Sequence, residues 1–374
     1  MRITKLTLKN FKSIGEQTYE FGQFDLLVGR NNSGKSSILQ ALAIWQFCID
    51  TFHHSGRSGK HGVQVVLPNF TALPLPEFNL LWKNKTDREY PEVDGKKRVH
   101  YILIQILVEW SDGGEGDAHF GIDLRYHSPQ TIYAIPSGGW QQFRDYENRG
   151  MPRLAYIPPF SGLEPMEKRL DIAPIRQQVG KGQPGSVLRN LLLSVHERAS
   201  GSSSSEYWKE LAAKIQTWFS VKIHEPQYDS RKDVTIKVEY RQDGKNYDIV
   251  AGGSGFHQTL TLLAFLYGYQ PTTILLDEPD AHLHASLQRE VLDYFKSKSY
   301  ATGMQFLIAT HAEEFIRGVD VNQIISLLMP QKPKRIQSTP HVVRALAEVS
   351  NAEIERLTLP SAEKRQTLRR TPSR

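Results

Sequence analysis

The segment GRNNSGKS, residues 29–36, constrains this chain more than anything else in it. It follows the short run FDLLV and precedes Ile38, Leu39, Leu42 and Trp45 at helical spacing, so the order is strand, glycine-rich turn, helix. A turn of the form G-x-x-x-x-G-K-[ST] in that setting curls until successive backbone N–H groups point inward. The helix behind it adds its positive dipole end, and the result is a cradle for phosphate. Gly29, Arg30, Asn31, Asn32, Ser33, Gly34, Lys35, Ser36 and Ser37 are therefore the expected nucleotide-binding residues. Lys35 is expected to neutralise the β- and γ-phosphates of ATP, and Ser36 to place its hydroxyl on Mg²⁺.

About 240 residues later, TTILLDEPD carries Asp277 and Glu278 out of a second apolar run. In a parallel sheet the strand ends gather at one edge, which brings this pair beside the phosphate loop. Two adjacent carboxylates after an apolar strand are costly without a cation. Asp277 is thus expected to hold the metal, and Glu278 to polarise the attacking water as general base. Three further segments keep a fixed order around them. AGGSGFHQ (residues 251–258) precedes a helix and can aim the N–H groups of Ser254 and Gly255 at a phosphate. PDAHLH follows Glu278 directly. LIATH ends the next strand at His311, where an imidazole reaches a γ-phosphate.

The rest of the chain sets the fold class, α/β. From residue 256 to 311 helices and strands alternate, which implies a largely parallel sheet covered by helices. Residues 99–135 read instead as antiparallel strands inserted into that frame, and 164–219 as mostly helical. Asp243-Gly244 marks a hairpin turn. Residues 53–94 show no clear period, and HVVRALAEVSNAEIERL reads as one helix before a basic tail. With 39% hydrophobic and 10% aromatic residues the chain can bury a real core. No apolar run approaches the ~18 residues of a membrane helix. The opening alternates basic and apolar residues like a strand, and the single cysteine, Cys48, cannot form an internal disulfide; both point to the cytoplasm. Of the net charge of +6, residues 361–374 supply +4, which reads as a solvated tail or as a nucleic-acid contact.

Taken together, GRNNSGKS, the Ser254-Gly255 segment, DEPDAHLH and the strand end at His311 resemble the ABC-type ATPases of the SMC, RecF and OLD group. DEPDAHLHASLQ is similar to the OLD-like branch, many of whose members act in bacterial defence against phages. The opening ITKLTLKNFKSIGE is similar to the group's first strand, whose residues matching Lys12 and Ser13 approach the nucleotide. The resemblance covers residues 1 to about 45 and 240 to about 321. It implies an ABC-type P-loop ATPase head over 1–360, with a mixed or parallel sheet. Its nucleotide-binding core would lie at 1–50 and 240–330, an inserted antiparallel β region at 95–160, a helical subdomain at 164–220, and a basic tail at 361–374.

It also implies a homodimer or higher homo-oligomer. Each ATP would lie between one copy's 29–36 loop and the other copy's Ser254 and Gly255. Phe256 stands where the group's signature has a second glycine, and only Gln177 and Gln178 offer themselves as its Q-loop glutamine. No heptad run supplies a coiled-coil arm. OLD proteins follow the head with a TOPRIM nuclease domain, which needs a D-x-D to hold catalytic metal. No D-x-D follows His311, so effector chemistry is expected from another subunit or from a part outside this sequence; the implied partner is a separate effector protein, a TOPRIM-type nuclease among the candidates. Two roles stay open: a sensor or scaffold controlling that effector in defence, or a RecF-like DNA-repair or chromosome-processing ATPase. An ABC transporter subunit fits neither the opening strand nor the missing LSGGQ.

Overall fold

The computed structural model describes residues 1–55, 62–93, 96–111, 117–197, 204–327 and 333–336. The chain opens with β1 (Arg2–Phe11), β2 (Ile14–Glu20), β3 (Phe24–Val28), α1 (Lys35–Ser55) and β4 (Val63–Val66). Four two-residue strands follow, β5 (Arg88–Glu89), β6 (Glu92–Val93), β7 (Lys96–Lys97) and β8 (His100–Tyr101). After them come β9 (Ile104–Ser111), β10 (Asp117–Ser128), β11 (Thr131–Pro136), α2 (Gly139–Arg149) and β12 (Leu154–Ile157). The middle is α3 (Ile172–Gly180), α4 (Leu188–Glu197), α5 (Ser204–Phe219), β13 (Lys222–Ile223), β14 (Glu239–Gln242) and β15 (Lys245–Asp248). The last part is α6 (Ser254–Tyr269), β16 (Thr273–Asp277), α7 (Ala285–Thr302), β17 (Gln305–Thr310), α8 (Glu313–Arg317), β18 (Ile324–Ser326) and β19 (Lys334–Arg335).

Twelve of these strands form two six-stranded sheets with α1 packed between them. The first sheet, ordered β2-β1-β9-β10-β11-β4, is antiparallel throughout. The strands expected as an insertion therefore do not form a layer of their own; they extend the N-terminal hairpin through β1 and β9. The register explains the partnership. Ile3, Leu6 and Leu8 sit opposite Trp110, Val108 and Ile106, all buried, while Lys5 and Glu109 pair on the outer face at 3.5 Å.

The second sheet, β12-β16-β17-β3-β18-β19, is parallel except for β19, which runs antiparallel to β18. β12 falls in the stretch expected as the inserted β region, yet it pairs with β16 from Leu154–Thr273 to Ile157–Leu276 and so belongs to this core sheet. Side chains alternate between two buried faces. Leu26, Val28, Ile274, Leu276, Phe306 and Ile308 pack into one core with α4, α5, α6 and α7. Leu27, Leu275, Leu307 and Ala309 face the other way, toward α1 and the first sheet.

α1 is buried on several sides for the same reason, and the Trp45 indole donates to the Phe120 carbonyl of β10 at 3.0 Å. It runs on through His53, His54 and Ser55, which from sequence read as the start of an irregular stretch. At the far end of the sheets, the fully buried Gln305 amide makes four hydrogen bonds. It accepts from the Ile3 N–H (2.9 Å) and the Thr273 hydroxyl (3.0 Å), and donates to the Ile3 and Gly22 carbonyls (2.7 Å each). Every polar group is satisfied, so this side chain can pin the two sheets without a desolvation cost left over.

β13, β14 and β15 make a small third sheet, whose β14–β15 turn places Asp243 (φ 50°) and Gly244 (φ 78°) in the left-handed region that a two-residue hairpin needs. The helix expected near residues 341–357 and the basic tail lie outside the described residues. Among the described residues no helix is long and apolar enough to cross a membrane.

Candidate nucleotide site

β3, β16 and β17 all end at one edge of the parallel sheet, and each delivers part of the site there. After β3 the chain turns tightly, with Asn32 at φ 64° and Gly34 at φ 97°. A Cβ at Gly29 would lie 2.6 Å from the Ser33 hydroxyl and 3.2 Å from Leu327, so a side chain at the first position would displace both. The Lys35 side chain is buried, and its ammonium donates to the Gly29 carbonyl at 2.9 Å and the Arg30 carbonyl at 3.3 Å. Burial lowers its pKa; Glu278, Asp277 and Asp280 oppose that fall. The Ser33 hydroxyl is buried with no hydrogen-bond partner, whereas Arg30, Asn31 and Asn32 are exposed and Ser37 is half-buried.

β16 brings Asp277 to the loop. The Ser36 hydroxyl donates to Asp277 Oδ1 at 2.9 Å, and the Tyr156 hydroxyl donates to Oδ2 at 3.0 Å. The carboxylate is buried, and burial raises its pKa against the pull of those two hydroxyls. Glu278 follows with φ 52°, a left-handed backbone that costs a non-glycine residue roughly 1–2 kcal/mol. Its N–H donates to the Ala309 carbonyl at 2.9 Å, and its half-exposed carboxylate lies 3.5 Å from the Nδ1 of His311, which β17 supplies. The Thr310 hydroxyl donates to the buried Asp280 at 2.5 Å, which fixes the turn after Glu278.

Lys12 reaches the same edge from the β1–β2 turn. Its N–H donates to the Leu81 carbonyl at 2.7 Å and its ammonium donates to Gln40 of α1. Burial lowers its pKa while the charge of Asp277 raises it. Ser13, beside it, is exposed. Ser254 and Gly255 form the first turn of α6, behind Gly253 as N-cap, with Ser254 exposed and a Gly255 Cβ excluded by the His282 carbonyl at 2.9 Å. Among the described residues no hydrogen bond or ion pair joins them to the 29–36 loop of the same chain. Gln177 is engaged elsewhere: its amide donates to the Pro68 carbonyl at 3.0 Å.

The residues present fit a magnesium nucleotide. Asp277 and the Ser36 hydroxyl are hard oxygen donors of the kind Mg²⁺ takes, with phosphate oxygens and water for its other ligands. The unpartnered Ser33 hydroxyl and the Lys35 ammonium, held only by carbonyls, are suited to phosphate oxygens. Tyr156 and Gln40 have no counterpart in the sequence reading. Tyr156 lies on β12, whose neighbour is set by the crossover to β16 over a hundred residues away.

Comparison with solved structures shows the same fold in SMC heads. The SMC head bound to the C-winged helix domain of ScpA gives a TM-score of 0.51 at 18% identity, covering 87% of this chain and 94% of that one. The SMC head domain with a coiled coil and joint from Pyrococcus yayanosii gives 0.51 at 12%, covering 93% and 99%. The head with an extended coiled coil bound to the C-terminal domain of ScpA, from Pyrococcus furiosus, gives 0.50 at 16%, again covering 93% and 99%. This is therefore the ABC-type P-loop ATPase head fold. Residues 26–317 match the family described as "AAA domain, putative AbiEii toxin, Type IV TA system", and the chain belongs to that family. Comparison with curated proteins gives no match.

Proposed function

We propose that the protein binds ATP with Mg²⁺, hydrolyses it in a site shared by two copies, and uses the cycle to control a separate effector in bacterial anti-phage defence. The observation that carries this reading is the 2.9 Å bond from Ser36 to Asp277, which ties the phosphate loop to the strand-end carboxylate beside Glu278. The N–H groups of the 29–36 loop receive the phosphates, and Lys35 exchanges the Gly29 and Arg30 carbonyls for phosphate oxygens. Ser36 and Asp277 hold Mg²⁺, which when bound neutralises charge developing on the phosphates. Glu278 takes the proton of the attacking water, and His311, 3.5 Å from it, presents its imidazole to the γ-phosphate. Lys12 adds a cation from the first sheet. Ser254 and Gly255 of the second copy close the site with the N-terminus of α6.

The effector reading draws on the family description, which names a toxin and a type IV TA system. A TOPRIM-type nuclease remains a fitting effector, because a nucleotide switch does work only when another activity reads it. One observation favours the RecF-like alternative, in which the chain contacts nucleic acid. Arg125 lies 4.9 Å over Tyr133 and 5.9 Å over Tyr101, and Arg88 lies 5.7 Å over Tyr101 and 5.8 Å over Tyr126. Cations interleaved with aromatics are what single-stranded nucleic acid stacks on.

Two substitutions test the chemistry. Lys35→Ala should abolish nucleotide binding, and Glu278→Gln should bind ATP but lose turnover by roughly 10²–10⁴. Hydrolysis by Glu278→Gln at near wild-type rate would remove Glu278 from its role. The partner is tested by purifying the protein from its native operon with and without ATP. An effector that co-elutes in a nucleotide-dependent way supports the defence reading, whereas a lone homodimer binding DNA ends tightly would replace it with the alternative.

A further inference from the structure

The turn that presents Ser254 and Gly255 is held from behind by a buried arginine. Arg189, in the first turn of α4, is 1% exposed and grips Asp248 at the end of β15 with both terminal guanidinium nitrogens, at 3.0 Å (Nη1 to Oδ2) and 2.6 Å (Nη2 to Oδ1). Its Nη2 also donates to the Pro165 carbonyl at 3.1 Å. The α4 end that carries Arg189 is itself fixed. Buried Glu167 accepts from the N–H groups of Arg189 (2.8 Å) and Asn190 (2.7 Å) and from the Asn190 side-chain amide (2.6 Å).

From Asp248 the constraint runs forward. Its Oδ1 accepts from the Val250 N–H at 2.8 Å, which shapes the single turn Ile249–Ala251 leading to Gly252, Gly253 and Ser254. The Ile249 carbonyl bonds the Nε2 of His257 at 2.6 Å, one turn into α6. A two-pronged arginine–carboxylate pair fixes orientation as well as distance, which a single flexible bond does not. A pair buried on the arginine side is also a weak source of net stability, so its geometry calls for another explanation.

We infer that Arg189 is the positioning residue for Ser254 and Gly255, setting through Asp248 the angle at which the N-terminus of α6 meets the nucleotide of a second copy. The inference rests on the shared-site reading proposed above. It makes the helical region an arm of the site, acting on the partner's ATP and not on that of its own chain.

Pairwise mixing separates those two outcomes. Removing Asp248 alone would strand the buried guanidinium charge, and removing Arg189 alone would take the donor from Asp248 and from the Pro165 carbonyl. Arg189→Lys, which keeps the charge and loses the fork, is therefore the first variant, and Arg189→Met combined with Asp248→Asn is the second. Each is checked for a native melting profile. Alone, the full-length variants should bind nucleotide within about twofold of wild type and turn over on the order of tenfold more slowly. Co-expressed with differently tagged Lys35→Ala, either variant should recover hydrolysis in purified mixed dimers, because one shared site keeps both halves. Mixed with Gly255→Asp it should not recover, since both copies then lack a competent first turn of α6.

Recovery with Gly255→Asp but not with Lys35→Ala would place Arg189 on its own chain's phosphate loop and overturn the inference. Wild-type turnover in both variants would overturn it as well. The control pair Lys35→Ala with Gly255→Asp reports on the shared site alone. If that pair fails while the single variants behave as stated, the shared-site reading falls and takes the inference with it.

Discussion

Asp277 and Asp248 both stand at the end of a strand and both accept two hydrogen bonds from other side chains, but the donors differ. At Asp277 they are the hydroxyls of Ser36 and Tyr156, which can rotate away and leave lone pairs for a cation. At Asp248 they are the two nitrogens of one guanidinium, backed by the Val250 N–H, and no exchange is open without breaking the start of α4. The first arrangement suits a group that changes partners when nucleotide arrives. The second suits a strut. Asp277 is buried and Asp248 only half-buried, so it is the chemistry of the donors that tells whether a strand-end carboxylate switches or holds.

The largest effect that sharpens this contrast is expected at Asp277. Asp277→Ala should lower hydrolysis by on the order of a thousandfold and remove the strengthening of nucleotide binding by Mg²⁺. Asp248→Ala should leave that strengthening in place. Nucleotide titrations with and without Mg²⁺ check both, and equal loss in the two variants would erase the distinction.

A middle-sized effect is expected in pH dependence at the strut. Burial pushes the carboxyl of Glu167 up to about 7, against the N–H groups of Asn190 and Arg189. Its folded pKa thus lies above the ordinary value, and the folded state holds the proton more tightly than the unfolded chain. That stability is fully present below pH 4.5 and is lost as pH rises to about 7. Relative to Glu167→Gln, the wild-type protein should lose up to about 1.4 kcal/mol per pH unit across that window. Urea midpoints at several pH values measure it, and parallel curves would contradict it. The smallest effect is expected for Tyr156→Phe. Losing one hydroxyl donor to Asp277 should raise the Mg²⁺ needed for half-maximal nucleotide binding by about tenfold or less, and an unchanged requirement would show that Ser36 alone orients the carboxylate.

What was legible in the sequence follows the same physical line. That the 29–36 loop, Asp277, Glu278 and His311 meet at one sheet edge could be read from their short offsets from strand ends, and the structure gathers them there. The fold class could be read because buried parallel strands need apolar runs, as in ILL of β16 and FLIA of β17. Arg189 could not. Within VLRNLLLSVHERA a charged residue reads as solvent-facing, and its burial depends on Asp248, which lies 59 residues on. Tyr156 was hidden likewise, because its partner lies 121 residues away across a strand pairing that local pattern does not specify. The union of β1 with β9 was missed because each hairpin alternates inward and outward residues equally well alone or joined.

The central claim, that one chain cannot complete its own site, is tested most directly by the rate of ATP hydrolysis per molecule as a function of protein concentration. Wild-type protein should be nearly inactive when dilute and rise to a plateau as dimers form, with Glu278→Gln accumulating as an ATP-bound dimer over the same range. A rate per molecule that stays constant down to concentrations where the protein is monomeric would contradict the account.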